Sequence, residues 1–180
     1  MKHLLLAVLS GALLVGCAPA PDGAPASPTE GPAVGPRPVG PVDEAIVTRV
    51  VDGDTIVVRI GEQQMRLRYI GIDAPELGDP APEPWADEAT EANRMLVANQ
   101  TVFLERDVSD TDRFARLLRY VWLRAHFADG TERWTMVNLE LVRLGFARAV
   151  SYPPDVQHQH LLRDAEREAR HAGAGLWSED

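Results

Sequence analysis

The sequence predicts an α+β domain: a small five-stranded β-barrel carrying about three helices. Three observations lead there. Val, Ile and Thr dominate consecutive segments between residues 45 and 72, and helical spacing of apolar residues begins only near residue 85. Two further β-type segments then precede two more helical ones.

Ala45–Val51 and Thr55–Ile60 have the β-branched content of strands, with Asp52-Gly53-Asp54 as the turn between them. Gly61 opens a second turn, and Gln64–Ile72 alternates polar and apolar residues, which completes a three-stranded meander. The proline-rich stretch Pro75–Pro84 reads as a surface loop. Trp85–Asn99 has helical spacing, with Ala89, Ala92 and Leu96 on one side and acids near its start, where they offset the positive end of the helix dipole. Val102–Arg106 and Leu117–Arg124 are the next strands, and Asp129-Gly130 marks a turn beyond them. Met136–Leu144 is helical and stops at Gly145; Gln157–Ala172 is a last helix, buried along Leu161, Leu162, Ala165 and Ala169. Five strands with a helix after the third match a Greek-key barrel of the OB type. That architecture hosts oligonucleotide binding, oligosaccharide binding and catalysis alike.

Residues 43–180 form this domain, and what precedes them has a different character. Lys2 and His3 lead into an apolar run, Leu4–Val15, too short to span a bilayer. Leu14-Val15-Gly16-Cys17 resembles the lipobox of bacterial lipoproteins, so residues 1–17 are expected to be a signal peptide ending at a lipidated Cys17. An ordinary secretory signal is the alternative. Eight of the fourteen prolines fall in residues 18–42, among Ala, Gly and Ser, as in an extended stalk that buries no core. The expectation is an exported monomer, tethered to a bacterial membrane through Cys17 and facing the periplasm or exterior. A single cysteine excludes an intramolecular disulfide and a thiolate zinc cage.

A formal charge of -9 excludes a generally basic nucleic-acid-binding surface. A polyanion must then be gripped locally, by a few well-placed cations. Lys2 is the only lysine, so in the domain those cations are arginines, whose planar forks suit bidentate phosphate contacts.

The chemistry concentrates in residues 52–76, where Asp52, Asp54, Asp73 and Glu76 flank Arg68. Carboxylates this dense repel one another unless a cation neutralises them. A hard cation on oxygen ligands, beside an arginine able to hold an anion, suggests metal-assisted chemistry on a phosphate. Each piece alone has a plainer reading. Asp-Gly is an ordinary turn dipeptide, Asp73-Ala74-Pro75-Glu76 can simply end a strand, and Arg68 can be a solvated edge charge. His158 and His160 are two apart on the predicted helix, hence on different faces, and Trp177 reads as packing of the C-terminus.

Five blocks in order resemble the staphylococcal nuclease family: Val51-Asp52-Gly53-Asp54-Thr55, Arg68 through Glu76, Asp112-Arg113-Phe114-Ala115-Arg116, Met136-Val137-Asn138, and Gly173 through Trp177. The resemblance covers about Ala45–Trp177. It implies that Asp54, Asp73 and the backbone carbonyl of Ala74 hold a calcium ion, with Asp52 behind them. It implies that Glu76 activates or positions the attacking water and that Arg68 and Arg116 bind the phosphate. Calcium takes six to eight oxygen ligands, so two carboxylates, a carbonyl and waters make a plausible open site. The implied activity is calcium-dependent endonucleolytic hydrolysis of DNA and RNA, with single-stranded or flexible substrate preferred and 3′-phosphates as products. The chain departs from the family at Phe114, where tyrosine is usual, and at Ala115, where glycine is usual. If that glycine has positive φ, alanine costs about 1 kcal/mol or more and shifts Arg116. Only Tyr152 remains of the tyrosines expected near residues 151–154, and the stretch Ala125–Thr135 suggests a lengthened hairpin. Two other readings stand beside the nuclease: a non-catalytic OB module binding nucleic acid or protein, and a calcium-binding structural lipoprotein. The first has no need of Glu76 together with Asp54, Asp73 and two arginines. The second has no need of Arg68 and Arg116.

Overall fold

A computed structural model of the chain describes residues 35–78 and 80–178. The predicted signal segment, Cys17 and the stalk up to residue 34 lie outside the described residues. Strands β1 (Val42–Val50), β2 (Thr55–Ile60) and β3 (Gln63–Tyr69) form the antiparallel meander. β5 (Thr101–Glu105) pairs with β1, and β6 (Leu117–His126) pairs with β5. The circuit closes because β6 also pairs, in parallel, with β3 through Leu67↔Leu117 to Tyr69↔Arg119. Five strands thus make the predicted barrel. A sixth strand, β7 (Glu132–Met136), extends it through the long β6–β7 hairpin.

The interior follows the alternation of the strands. Ile56, Val58, Leu67, Tyr69, Leu104, Tyr120 and Trp122 are each no more than 1% exposed, and helices α1 (Ala86–Val97), α2 (Val137–Arg143) and α3 (Gln159–Ala172) cover the open parts of the core. Helix α1 buries Ala89, Ala92 and Val97, with Leu96 only half-buried; α3 buries Leu162, Ala165 and Ala169 against α2, with Leu161 half-buried.

Of the boundaries that differ from expectation, three have a clear local reason. The third strand ends at Tyr69 instead of Ile72, because Gly71, with φ +79°, turns the chain. Ile72–Asp73 becomes a separate short strand, β4, that pairs with β8 (Arg148–Ala149). Met136 closes β7 in register with Trp122, so α2 starts one residue later. The last helix starts at Gln159, because His158 turns inward to bond Glu105 at 3.0 Å. The same Glu105 carboxylate accepts bonds from the Val39 and Gly40 amides, so domain contacts reach back to residue 39. Among the described residues no helix is long and apolar enough to cross a membrane.

Candidate active site

The β1–β2 turn, β3 and β4 bring four of the singled-out residues together. Asp52 Oδ1 accepts the Asp54 amide at 3.0 Å, an Asx-type bond that fixes the turn. Asp54 is 1% exposed, and its Oδ2 accepts the Ala74 amide at 2.7 Å and meets Arg68 Nη1 at 2.7 Å. Arg68 Nη2 reaches Asp73 Oδ1 at 2.7 Å, and Nη1 also donates to the Ile72 carbonyl at 2.9 Å. One guanidinium therefore holds both aspartates. Glycine between the acids is obligatory: a Cβ on Gly53 would stand 2.6 Å from that of Ala74 and 3.0 Å from that of Ala89. The turn is fastened from below by Asn93 of α1, which donates to the Asp52 carbonyl at 2.9 Å and accepts from the Tyr69 hydroxyl at 2.9 Å.

Burial pushes the Asp54 carboxyl up to about 7, against the opposing pull of Arg68 and of the Ala74 amide; Asp52 and Glu76 add to the rise. Glu76 sits on the exposed loop after β4, its amide 3.2 Å from Glu83 Oε2. Its carboxyl is raised, first by partial burial and then by Asp52, while Arg68 and Arg116 pull the other way. Glu76 is thus within electrostatic reach of both arginines and of the aspartates.

Arg116 arrives from the loop before β6. Asp112 accepts the Phe114 amide at 2.9 Å and the Arg116 amide at 3.0 Å on Oδ1, and Arg116 Nε at 2.7 Å on Oδ2. Burial works to raise the Asp112 carboxyl, but those bonds outweigh it and hold the group below its ordinary value. Ala115 has φ +60°, the left-handed conformation anticipated for a glycine. The strain is met locally by Asp112, and Arg116 still lines the same cleft as Arg68. The two arginines line one cleft of about 550 Å³, together with Arg113, exposed Phe114 and Tyr152. The other arginines nearby are distinguished by their partners. Arg119 is buried on Asp110 at 2.7 Å, and Arg124 lies over Phe103 and Trp134 near the far end of β6.

Sequence reasoning missed Asp112 and Asn93 as positioning residues. The carboxylate four places before Arg116 was a visible signal; the reach of Asn93 across 41 residues was not. His158 belongs to the buried bond with Glu105, His160 is exposed, and Trp177 is buried under Arg170, 3.7 Å from its ring. None of these three joins the cleft.

A cation is tested by the donor set. Among the described residues no three His, Cys, Asp or Glu side chains form a ready cluster for a metal. The site offers two carboxylates, those of Asp54 and Asp73, joined through Arg68. That one guanidinium pairs with both of them, and Asp54 is costly to ionise in its buried place. All donors are hard oxygens. The residues fit a hard divalent cation whose shell is completed by a backbone carbonyl and water.

Comparison with known proteins finds a matching family and similar proteins. The profile of the family described as staphylococcal nuclease homologue matches residues 66–179, a span that includes Arg68, Asp73, Glu76 and Arg116 and begins after Asp54. The thermonuclease of Staphylococcus hyicus is 38% identical over 134 residues, covering 73% of this chain and 74% of that protein. The thermonuclease of Staphylococcus intermedius is 37% identical over 134 residues, with the same coverage. A micrococcal nuclease of Shigella flexneri is 33% identical over 136 residues, covering 74% and 72%.

Proposed function

The chain belongs to the staphylococcal nuclease family, and we propose that it is a calcium-dependent endonuclease hydrolysing DNA and RNA to 3′-phosphate products. The observation that carries the reading is the convergence of Arg68 and Arg116, from separate segments, on one cleft beside the Asp52–Glu76 acid cluster. A binding module would need neither the acids nor a carboxylate in Glu76's position.

The roles follow from the chemistry of phosphodiester hydrolysis. Glu76 accepts a proton from water, or orients it, as its oxygen attacks phosphorus. Arg68 and Arg116 supply fixed donors to the charge that grows on the equatorial oxygens and on the departing 5′-oxygen. Asp112 positions Arg116; Asn93 and Asp52 hold the turn that carries Asp54. Asp54, Asp73 and the Ala74 carbonyl would hold a calcium ion, which would polarise a phosphate oxygen and lower the pKa of a bound water. Single-stranded DNA incubated with the full chain should be digested in calcium and left intact in EDTA. Digestion that persists at the same rate in EDTA would defeat the metal-dependent reading.

Export and anchoring rest on the N-terminal sequence. We propose that residues 1–17 are a lipoprotein signal, that Cys17 is acylated, and that the proline-rich segment from residue 18 up to residue 38, where the domain's contacts begin, holds the domain off the membrane. More than one acyl chain is what stable anchoring requires. Cys17→Ser should move the protein from the membrane to the soluble fraction; unchanged fractionation would refute the anchor.

A further inference from the structure

The outer face of the meander carries a second group of arginines, and the strand register fixes its layout. Arg49 of β1 is opposite Val57 of β2, which is opposite Arg66 of β3, so the three share one face in a single cross-strand row. The bulge between Val47 and Arg49 produces this alignment. Arg68 is two residues beyond Arg66 on the same strand, hence on the same face and about 7 Å further along. Arg49 and Arg66 are two strand spacings apart, about 10 Å. Arg59, two residues beyond Val57, stands in the next row, opposite Ile46 and Gln64. At the β1 side, Arg49 shares a concavity of about 320 Å³ with Arg94 of α1, which is bonded to Glu91 on its own helix, and with Thr48 and Asn99.

Arg49, Arg59 and Arg66 are exposed, and among the described residues none of the three pairs with a carboxylate. Four of the five exposed helical arginines do: Arg94, Arg143, Arg167 and Arg170 each meet an acid on their own helix, and Arg163 of α3 does not. In a chain of net charge -9 this face has the opposite sign, and it begins at the arginine that grips the phosphate.

We propose that the row running from Arg68 through Arg66 to Arg49 and the Arg49–Arg94 concavity binds the phosphodiester backbone of a single-stranded nucleic acid on one side of the cleaved bond. The proposal rests on the nuclease reading, which supplies Arg68 as the starting point. The cleft acts on one phosphate; this face gives neighbouring phosphates a place to go, and so favours polymers over dinucleotides. Outward arginines on β-strands can also approach an anionic membrane, and the test separates the two.

The test measures binding of a labelled single-stranded 12-mer, of a dinucleotide and of phosphatidylglycerol vesicles to the full chain carrying Glu76→Gln, at several salt concentrations. Arg49→Gln/Arg66→Gln should lower the slope of log affinity against log salt for the 12-mer by about 1.4, since each phosphate contact on a single strand contributes about 0.7. Dinucleotide affinity should not change. Arg143→Gln/Arg167→Gln, with the same change in net charge on exposed helical positions, should leave the slope alone. An unchanged 12-mer slope, or an equal loss for the dinucleotide or in the helical control, would overturn the proposal. So would a loss confined to phosphatidylglycerol vesicles. The predicted slope change in a wild-type chain that does not cleave would uphold the binding face and remove the nuclease reading instead.

Discussion

Arg116 shows how a single residue's placement depends on its neighbours. A left-handed alanine precedes it where glycine would be unstrained, and three bonds to Asp112 hold the loop in that shape regardless. Ala115→Gly should therefore stabilise the domain by up to about 1 kcal/mol, read from the midpoint of urea unfolding, with the cleft unchanged. A destabilised variant would mean that the loop is not strained at this position. The Phe114-Ala115 departure could be read in the sequence because the conformation it disturbs belongs to one residue. The function of Asp112 could not, because a carboxylate four places from an arginine meets it only in one particular loop geometry. Asp52, Asp54, Asp73 and Arg68 were legible together for the opposite reason: two short turns carry them, and the local chain brings them close.

Elements were legible where their own periodicity defines them. β2, α1 and α3 lie where apolar spacing puts them, whereas the parallel β3–β6 pairing and the β4–β8 pair join segments far apart in sequence. No local pattern encodes such pairings. The same is true of the seam between the lead-in to β1 and the segment entering α3, which meet at fully buried Glu105. Its carboxylate accepts Trp122 Nε1 at 2.8 Å, Gln157 Nε2 at 2.7 Å, His158 Nε2 at 3.0 Å and the Val39 amide at 2.8 Å. Burial alone would raise this carboxyl; the bonds from His158, Val39 and Gly40 outweigh it, and the group is lowered from 4.5. A folded-state pKa below the unfolded one means that the stabilisation is complete above the ordinary value and is lost as pH falls through the lowered one. Glu105→Ala should cost about 3–5 kcal/mol at pH 7, and the gap from wild type should narrow below pH 4. Urea unfolding at pH 7, 4 and 3 checks this; a gap that stays constant with pH would contradict it.

At the scale of the whole molecule, an acidic chain acts on a polyanion by local arrangement. Net repulsion is weak beyond a Debye length of about 8 Å at physiological salt, while arginines in or beside the cleft act at contact. The charge balance was legible from composition, but its distribution was not, because the strand register and the β1 bulge decide which arginines share a face. The acid cluster, the two cleft arginines and the family membership meet in one claim, that Glu76 serves phosphodiester cleavage beside this cleft. The most direct measurement is the single-turnover cleavage rate of a single-stranded oligonucleotide, at saturating protein in calcium, for wild type and Glu76→Gln. The account predicts a loss of about a hundredfold or more with oligonucleotide affinity nearly unchanged. Equal rates for the two proteins would contradict it.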